Sequence, residues 1–453
     1  MKIRFNRSMK LLLLVTAVGL FAVSFDFGEQ RVHAYRGGPD PSKTGAPTFG
    51  AIPVELTCNS VGCHSGNSVN DGQATFQILD VPASYVPSQT YTIRVSLSRP
   101  GNIRFGFQLV ALDQTGATVG TLATNDSSTQ LIDGDSPGSW AGRKYIEHTS
   151  TGTSTTSTNQ RIWTIKWTAP ATRSGKLTFF AAGNAANNDS QITGDFIYTT
   201  STSIRPDVVT VSGASFDQTN NNATNSGIVS GFGIELASGT ATATGDADPN
   251  TPGIQLPTTL GGTTVTVRDS LSFTRNATLF FVSPTQVNYL LPAVMPNGAA
   301  TVTFTSGTGA ISTGSLNLVS VKPGIFTVNQ GGTGFAAAQI QRVRNGVTLG
   351  FEDVATGPVA NPVAVPIEWK DAGDQLYLVL YGTGFRQRSD LANVAVSVKG
   401  AAQQVVYSAA HADFAGLDQT NVLLNRNLAA SGDANVVMTV DGVAANTVKI
   451  NFK

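Results

Sequence analysis

Cys58 and Cys63 are the only cysteines in a chain of 453 residues, and His64 follows the second directly. Two thiols followed by an imidazole can hold a c-type haem, with thioethers to the vinyl groups and the histidine as an axial iron ligand. Four residues separate the cysteines here, Asn59 to Gly62, where the usual attachment motif has two. The pair could equally close a disulfide, whose small loop constrains the unfolded chain only modestly. A zinc or other metal site is the third chemistry open to it. For zinc, Cys63 and His64 would have to fold onto one small ion, and no second cysteine pair completes the set.

If a haem is held, its iron takes a sixth ligand or leaves the site open. The methionines are Met1, Met9, Met295 and Met438, so none lies near the cysteines in the chain. His148 is therefore the candidate distal ligand, which would give bis-histidine ligation and a potential suited to electron transfer. Its other reading is a partly buried histidine hydrogen-bonded at a strand end. His411 reads as a surface residue. The haem-binding set is thus Cys58, Cys63, His64 and His148, with both histidines on the iron. Without haem no cofactor is expected.

Other apparent motifs carry less chemistry. Gly134-Asp-Ser-Pro-Gly138 matches a nucleophile elbow, but Pro137 has no N–H to give an oxyanion hole, and no strand-to-helix context surrounds Ser136. Asp246-Ala-Asp-Pro-Asn250 opens like a calcium loop, yet lacks the glycine and the closing glutamate that such loops need. It reads as a solvated turn. Trp140, Trp163 and Trp167 could stack on a sugar, but Trp163 and Trp167 share one face of a strand and read as core. With no acid/base constellation, the chain is not expected to be an enzyme.

The elements that must position these residues are strands. Charged residues are only 13% of the chain, glycines number 47, and Ser, Thr and Asn fill the gaps between short apolar runs, the composition of strands joined by polar turns. In Arg161-Ile-Trp-Thr-Ile-Lys-Trp-Thr168, Trp163, Ile165 and Trp167 alternate with polar residues, giving one buried face. Val448, Ile450 and Phe452 repeat the pattern. Further strands are expected at 105–112, 176–182, 263–267, 300–305, 376–381 and 435–440. Lys plus Arg and Asp plus Glu are equal at 29 each, so electrostatics predicts neither nucleic acid nor an anionic membrane as partner.

Lys2, Arg4, Arg7 and Lys10 precede an apolar run from Leu11 to Val23, and Val32-His33-Ala34 offers a cleavage site. Residues 1–34 read as a signal peptide, which places the mature chain in the periplasm, at the cell surface or outside the cell. No later segment is apolar and long enough to span a membrane. The expected architecture is all-β, three successive β-sandwich, Ig-like domains after the signal peptide. They lie at 35–200, 208–325 and 326–453, with a Ser/Thr-rich linker at 201–207. A faint echo links Ser230-Gly-Phe-Gly-Ile234 with Tyr381-Gly-Thr-Gly-Phe385, as though each closed a strand in related units.

Thr44-Gly-Ala-Pro47, the Cys58, Cys63 and His64 run, Phe105-Gly-Phe-Gln-Leu-Val-Ala-Leu-Asp113, Tyr145-Ile-Glu-His-Thr149, Trp167-Thr-Ala-Pro170, Phe179-Phe-Ala-Ala-Gly-Asn-Ala-Ala-Asn187 and Gly194-Asp-Phe-Ile-Tyr198 follow one another in order, and together they carry a family resemblance. The stretch from about 40 to 200 resembles a bacterial Reeler-type, or choice-of-anchor V, domain, a relative of the reelin N-terminal module. That resemblance implies a secreted β-sandwich. Its bacterial members often carry Cys-x-x-Cys-His near the start, a spacing this chain does not keep. Leu256-Pro-Thr-Thr-Leu-Gly-Gly-Thr-Thr-Val265, Leu279-Phe-Phe-Val-Ser-Pro-Thr-Gln-Val-Asn-Tyr289 and Pro323-Gly-Ile-Phe326 with Gly334-Phe-Ala-Ala-Ala338 resemble a C-terminal region of large secreted proteins of soil bacteria, a pair of Ig-like sandwiches without known activity. Two functions follow as expectations: a c-type haem module for electron transfer or sensing, with a redox or cell-surface partner, or a non-catalytic adhesion protein with a Cys58–Cys63 disulfide.

Overall fold

The computed structural model describes residues 36–60, 63–135, 138–244 and 255–453; burial alternates along strands such as Thr263–Arg268 and Val448–Phe452, whereas Arg104–Leu112 is buried on both faces. The expected signal peptide and the Asp246–Asn250 turn lie outside the described residues, as do Ser136 and Pro137. The described chain is all-β: strands joined by turns, short 3₁₀ turns such as Ser150–Thr153, and no α-helix. No helix among the described residues is long and apolar enough to cross a membrane.

Among the described residues the buried apolar side chains gather into three large cores, at 78–204, 208–318 and 321–452. The first lies between two sheets. One runs in the order Thr75–Leu79, Thr90–Ser98, Gln160–Thr168, Thr121–Thr124; the other runs Ser84–Tyr85, Phe196–Pro206, Leu177–Ala186, Arg104–Leu112, Lys144–His148, Thr129–Asp133. Trp163, Ile165 and Trp167 are fully buried between them, as their alternation requires. Phe107 packs on Trp163 with ring centroids 4.6 Å apart, and Phe179 on Trp167 at 5.1 Å. Each buried tryptophan removes roughly 200 Å² from water, on the order of 5 kcal/mol before chain entropy is subtracted.

The expected linker at 201–207 is instead strand as far as Pro206. Phe196–Pro206 is continuous, and Ser201, Thr202 and Ser203 pair with Phe180, Phe179 and Thr178. The Ser/Thr string is compatible with a strand because β-branched threonines suit the pleat, and Pro206 sits at its end. Val208 already belongs to the second core, so the two units join with no free tether. The Ser84 hydroxyl accepts from the Thr313 N–H at 2.9 Å across this joint.

The second core lies between a sheet built on Ile228–Phe232, Gln286–Leu290 and Thr278–Val282 and one built on Ile311–Leu318, Gly298–Thr305 and Thr263–Arg268. The third begins earlier than expected: Val321 and Ile325 are part of it. Its strands form one wrapped sheet in which Ala401–Ala410 pairs with Asp418–Leu423 at one end and Val394–Val398 at the other. The strand changes partner between Gln403 and Gln404, and a register shift follows between Val405 and Tyr407.

Candidate functional site

The cysteine segment is fastened to the six-stranded sheet of the first unit by a buried ion pair. Glu55, 2% exposed, takes the Arg143 guanidinium and the Tyr145 hydroxyl (2.6 Å) on one oxygen and the Thr44 hydroxyl (2.5 Å) on the other. Burial and the Glu55 carboxylate push the Tyr145 phenol far above its usual range. Backbone bonds from Gly45 N to Leu56 O and from Glu55 N to Ala46 O complete the clamp. Two residues further along, Cys58 packs against Ala182 and Ile197. Burial, then the neighbouring Cys63, raise its thiol to about 12. Both cysteines are free thiols, Cys58 buried and Cys63 half-buried.

His64 is held from two directions. Its N–H bonds back to Cys58 O at 3.1 Å, and the next residue, Ser65, bonds to Ile192 O at 2.8 Å. Its Nδ1 lies 2.6 Å from Oδ2 of Asp195, whose side chain is 2% exposed. A carboxylate on Nδ1 fixes the proton there and leaves the Nε2 lone pair as the ligating or accepting atom. The Asn184 amide nitrogen stands 3.2 Å from that Nε2 and 3.5 Å from Asp195.

His148 closes the strand Lys144–His148 and is 7% exposed. Its Nδ1 lies 3.0 Å from the Phe107 N and 3.1 Å from the Phe107 O. Nδ1 accepts from the Phe107 N–H when the proton is on Nε2; in the other tautomer it donates to the Phe107 carbonyl, and only that one presents a bare Nε2. Burial lowers its pKa to about 4, so the ring is neutral at neutral pH and can act as a ligand. The strand-end reading of His148 and its place at the site are both present in one residue.

Cys58, Cys63, His64 and His148 line one cavity of about 310 Å³. Gly106 and Asn184 form part of its wall and Arg36, Lys43 and Arg104 are cationic members of the lining. A β-carbon at Gly106 would stand 2.6 Å from the His148 ring, so the glycine makes the space that the imidazole uses. Gly106, Asn184 and Asp195 were not singled out from sequence. Their only signal is that each falls inside a motif that carries the family resemblance. His411, expected at the surface, is half-buried and packs 5.0 Å from Phe414, remote in the fold. Trp140 donates to Pro53 O at 3.3 Å. No group of three or more His, Cys, Asp or Glu among the described residues is arranged to hold a bare metal ion.

The family model for the Reeler domain matches residues 56–189, from the segment of the cysteines through the cavity wall. This part of the chain is a Reeler domain. The solved Reelin-N domain of F-spondin is 20% identical over 30% of this chain and 86% of its own, with a TM-score of 0.20. The human F-spondin reeler domain gives 20% identity, 30% and 88% coverage and a TM-score of 0.20. No curated protein matches the chain. Within the Reeler domain, the match includes Cys58, Cys63, His64, Gly106, His148 and Asn184, while Asp195 lies just beyond it.

Proposed function

We propose that the Reeler domain of this chain is a c-type haem module, exported behind the 1–34 signal peptide and carried on two further Ig-like β-sandwiches that act as spacer or docking elements. The observation that supports this reading is the convergence of Cys58, Cys63 and His64 with His148, far apart in sequence, on one cavity. Support comes from the donors themselves: two free thiols for thioether bonds and two imidazoles whose Nδ1 atoms are engaged by Asp195 and by the Phe107 backbone, so that Nε2 of each, with the Asn184 amide moved off His64, would be the atom offered to iron. Arg36, Lys43 and Arg104 supply cations for carboxylate substituents. A bound haem would supply one-electron chemistry. The protein's own residues orient the ligands, keep His148 uncharged and shield it from water.

The test is the visible spectrum and intact mass of the full chain exported from a host with c-type cytochrome maturation machinery. The expected product gains the mass of haem covalently and shows a sharp reduced α-band, both lost in Cys58→Ala/Cys63→Ala. A colourless product two hydrogens lighter than the reduced chain would mean a disulfide and return the protein to the adhesive class.

A further inference from the structure

The third unit turns one face of a sheet away from its core. Ile340, Leu376, Leu378, Leu380 and Val422 are buried inside, so the alternate residues of the same strands lie on the opposite face, where Phe351 and Tyr407 are exposed, Tyr377 and the amides are half-buried, and Val379 is covered at 1% exposure. Pairing register sets them in rows. Phe351, Gln341, Tyr377 and Leu423 lie in one row across four strands, and Asp353, Gln339, Val379, Asn421 and Tyr407 form the next across five. Tyr381 and Gln419 are directly paired in a third.

We propose that this face binds a neutral polysaccharide. A pyranose ring offers two kinds of surface: an apolar C–H face that packs flat on an aromatic ring, and a rim of hydroxyls that need donors and acceptors together. Aromatic side chains meet the first at low entropy cost, and side-chain amides meet the second because each carries both functions. Phe351 is 55% exposed and Tyr407 40%. Phe351 and Tyr377 stand two strands apart in one row, roughly 10 Å, and Tyr377 and Tyr407 two strands apart in successive rows, roughly 12 Å along the diagonal. Those intervals suit an extended glycan contacted at every second sugar.

The amides between the rings are already fixed. Gln339 accepts from the Tyr381 hydroxyl at 3.1 Å and donates to Asp353 at 3.0 Å, while Gln419 donates to Asn421 at 2.7 Å. This ordering lowers the entropy lost when a ligand docks. At the end of the face, Phe326, Tyr381, His411 and Phe414 line a recess of about 340 Å³, with room for a terminal or branching sugar.

Charge decides between neutral and acidic glycans. Of the outward residues in these rows only Asp353 is ionisable near neutral pH, it sits at the sheet edge, and Gln339 engages it. No lysine or arginine stands in the rows, so nothing there would pair with uronate, sulfate or phosphate. The face belongs to a different unit from the thiol and imidazole cavity, and the proposal is independent of haem.

The experiment is native affinity electrophoresis of the full chain in gels containing hydroxyethyl cellulose, galactomannan or arabinoxylan, with polygalacturonate as the acidic control. At least one neutral polymer should retard migration, polygalacturonate should not, and Tyr407→Ala and Phe351→Ala should each weaken retardation about tenfold or more. Both side chains are exposed, so melting temperatures should be unchanged and Gln341→Ala should give an intermediate loss. Absence of retardation in all three neutral gels would overturn the proposal. So would retardation indifferent to both ring variants, or a dimer on size exclusion that the ring variants dissolve, which would make the face a contact between copies.

Discussion

The imidazole of His148 fills the volume that a side chain on Gly106 would need: a β-carbon there would lie 2.6 Å from Cε1 and 3.0 Å from Nε2. The ring is walled in and cannot yield without losing its bond to the Phe107 backbone. Gly106→Ala should therefore cost about 1–3 kcal/mol through overpacking and should displace the imidazole. Gly37→Ala, where an added carbon meets nothing within 4 Å, is the control. Thermal unfolding and the His148 ring proton shifts would read both effects, and an unshifted ring in Gly106→Ala would contradict the geometry.

Glu147 and His148 should oppose each other in the pH dependence of the haem-free chain. Burial holds the His148 pKa near 4 against an ordinary 6.5. The unfolded state therefore binds the proton first, and stability falls by roughly 3 kcal/mol as pH drops from 6.5 to 4. Burial lifts Glu147 from an ordinary 4.5 to about 7, despite the carboxamides of Gln108 and Gln130 that donate to it. Here the folded state holds the proton longer, so stability falls by roughly 3 kcal/mol as pH rises from 4.5 to 7. Between 4.5 and 6.5 the two slopes cancel. Glu147→Gln should be more stable than the parent at pH 8, gain little at pH 5, and unmask the acid-side loss from His148. Melting temperatures at pH 5, 6.5 and 8 would check this, and a variant less stable than the parent at pH 8 would refute it.

The ion pair that anchors the cysteine segment should be costly to break from one side. Glu55 and Arg143 side chains are 0% and 3% exposed, and Arg143 without its partner would be left as a buried, uncompensated charge. Glu55→Ala should lose about 3–5 kcal/mol, with Tyr145 and Thr44 also left without their acceptor. Denaturant unfolding measures the loss. Because residues 44–57 lead directly to Cys58, limited proteolysis should cut this segment first in the variant.

Local pattern and long-range placement were unequally legible in the chain. Trp163, Ile165 and Trp167 announced a half-buried strand because side chains alternate with period two, and Val448, Ile450 and Phe452 did the same; all six are buried. The strand expected at 105–112 is Arg104–Leu112, and that expected at 376–381 is Asp374–Thr383. The Ser/Thr run at 199–203 misled because composition alone does not separate a linker from a strand on a polar face. At the site, Cys58, Cys63, His64 and His148 could be chosen by residue type. Asp195 could not, since its partner His64 lies 131 positions earlier and no local pattern records that pairing. Gly106 was equally silent, because a glycine whose role is to leave room for another side chain looks like any other in a chain with 47 of them.

The two thiols should differ sharply in reactivity in the reduced, haem-free protein. Only the thiolate reacts with iodoacetamide, and Cys58, with its pKa pushed up to about 12 by burial and by Cys63, is almost wholly protonated at pH 8. Its sulfur is also covered by Ala182 and Ile197. Cys63 is half-buried and should be alkylated first. Peptide mass mapping over time at pH 8 should show one label on Cys63 well before any on Cys58, with the lag abolished in denaturant. In Cys63→Ser the contribution of the second thiol disappears while burial persists, so Cys58 should remain slow. If Cys58 instead labelled at the rate of a free thiol in that variant, the segment would be opening on its own, and the shielding assigned to the Ala182 and Ile197 contact would be wrong.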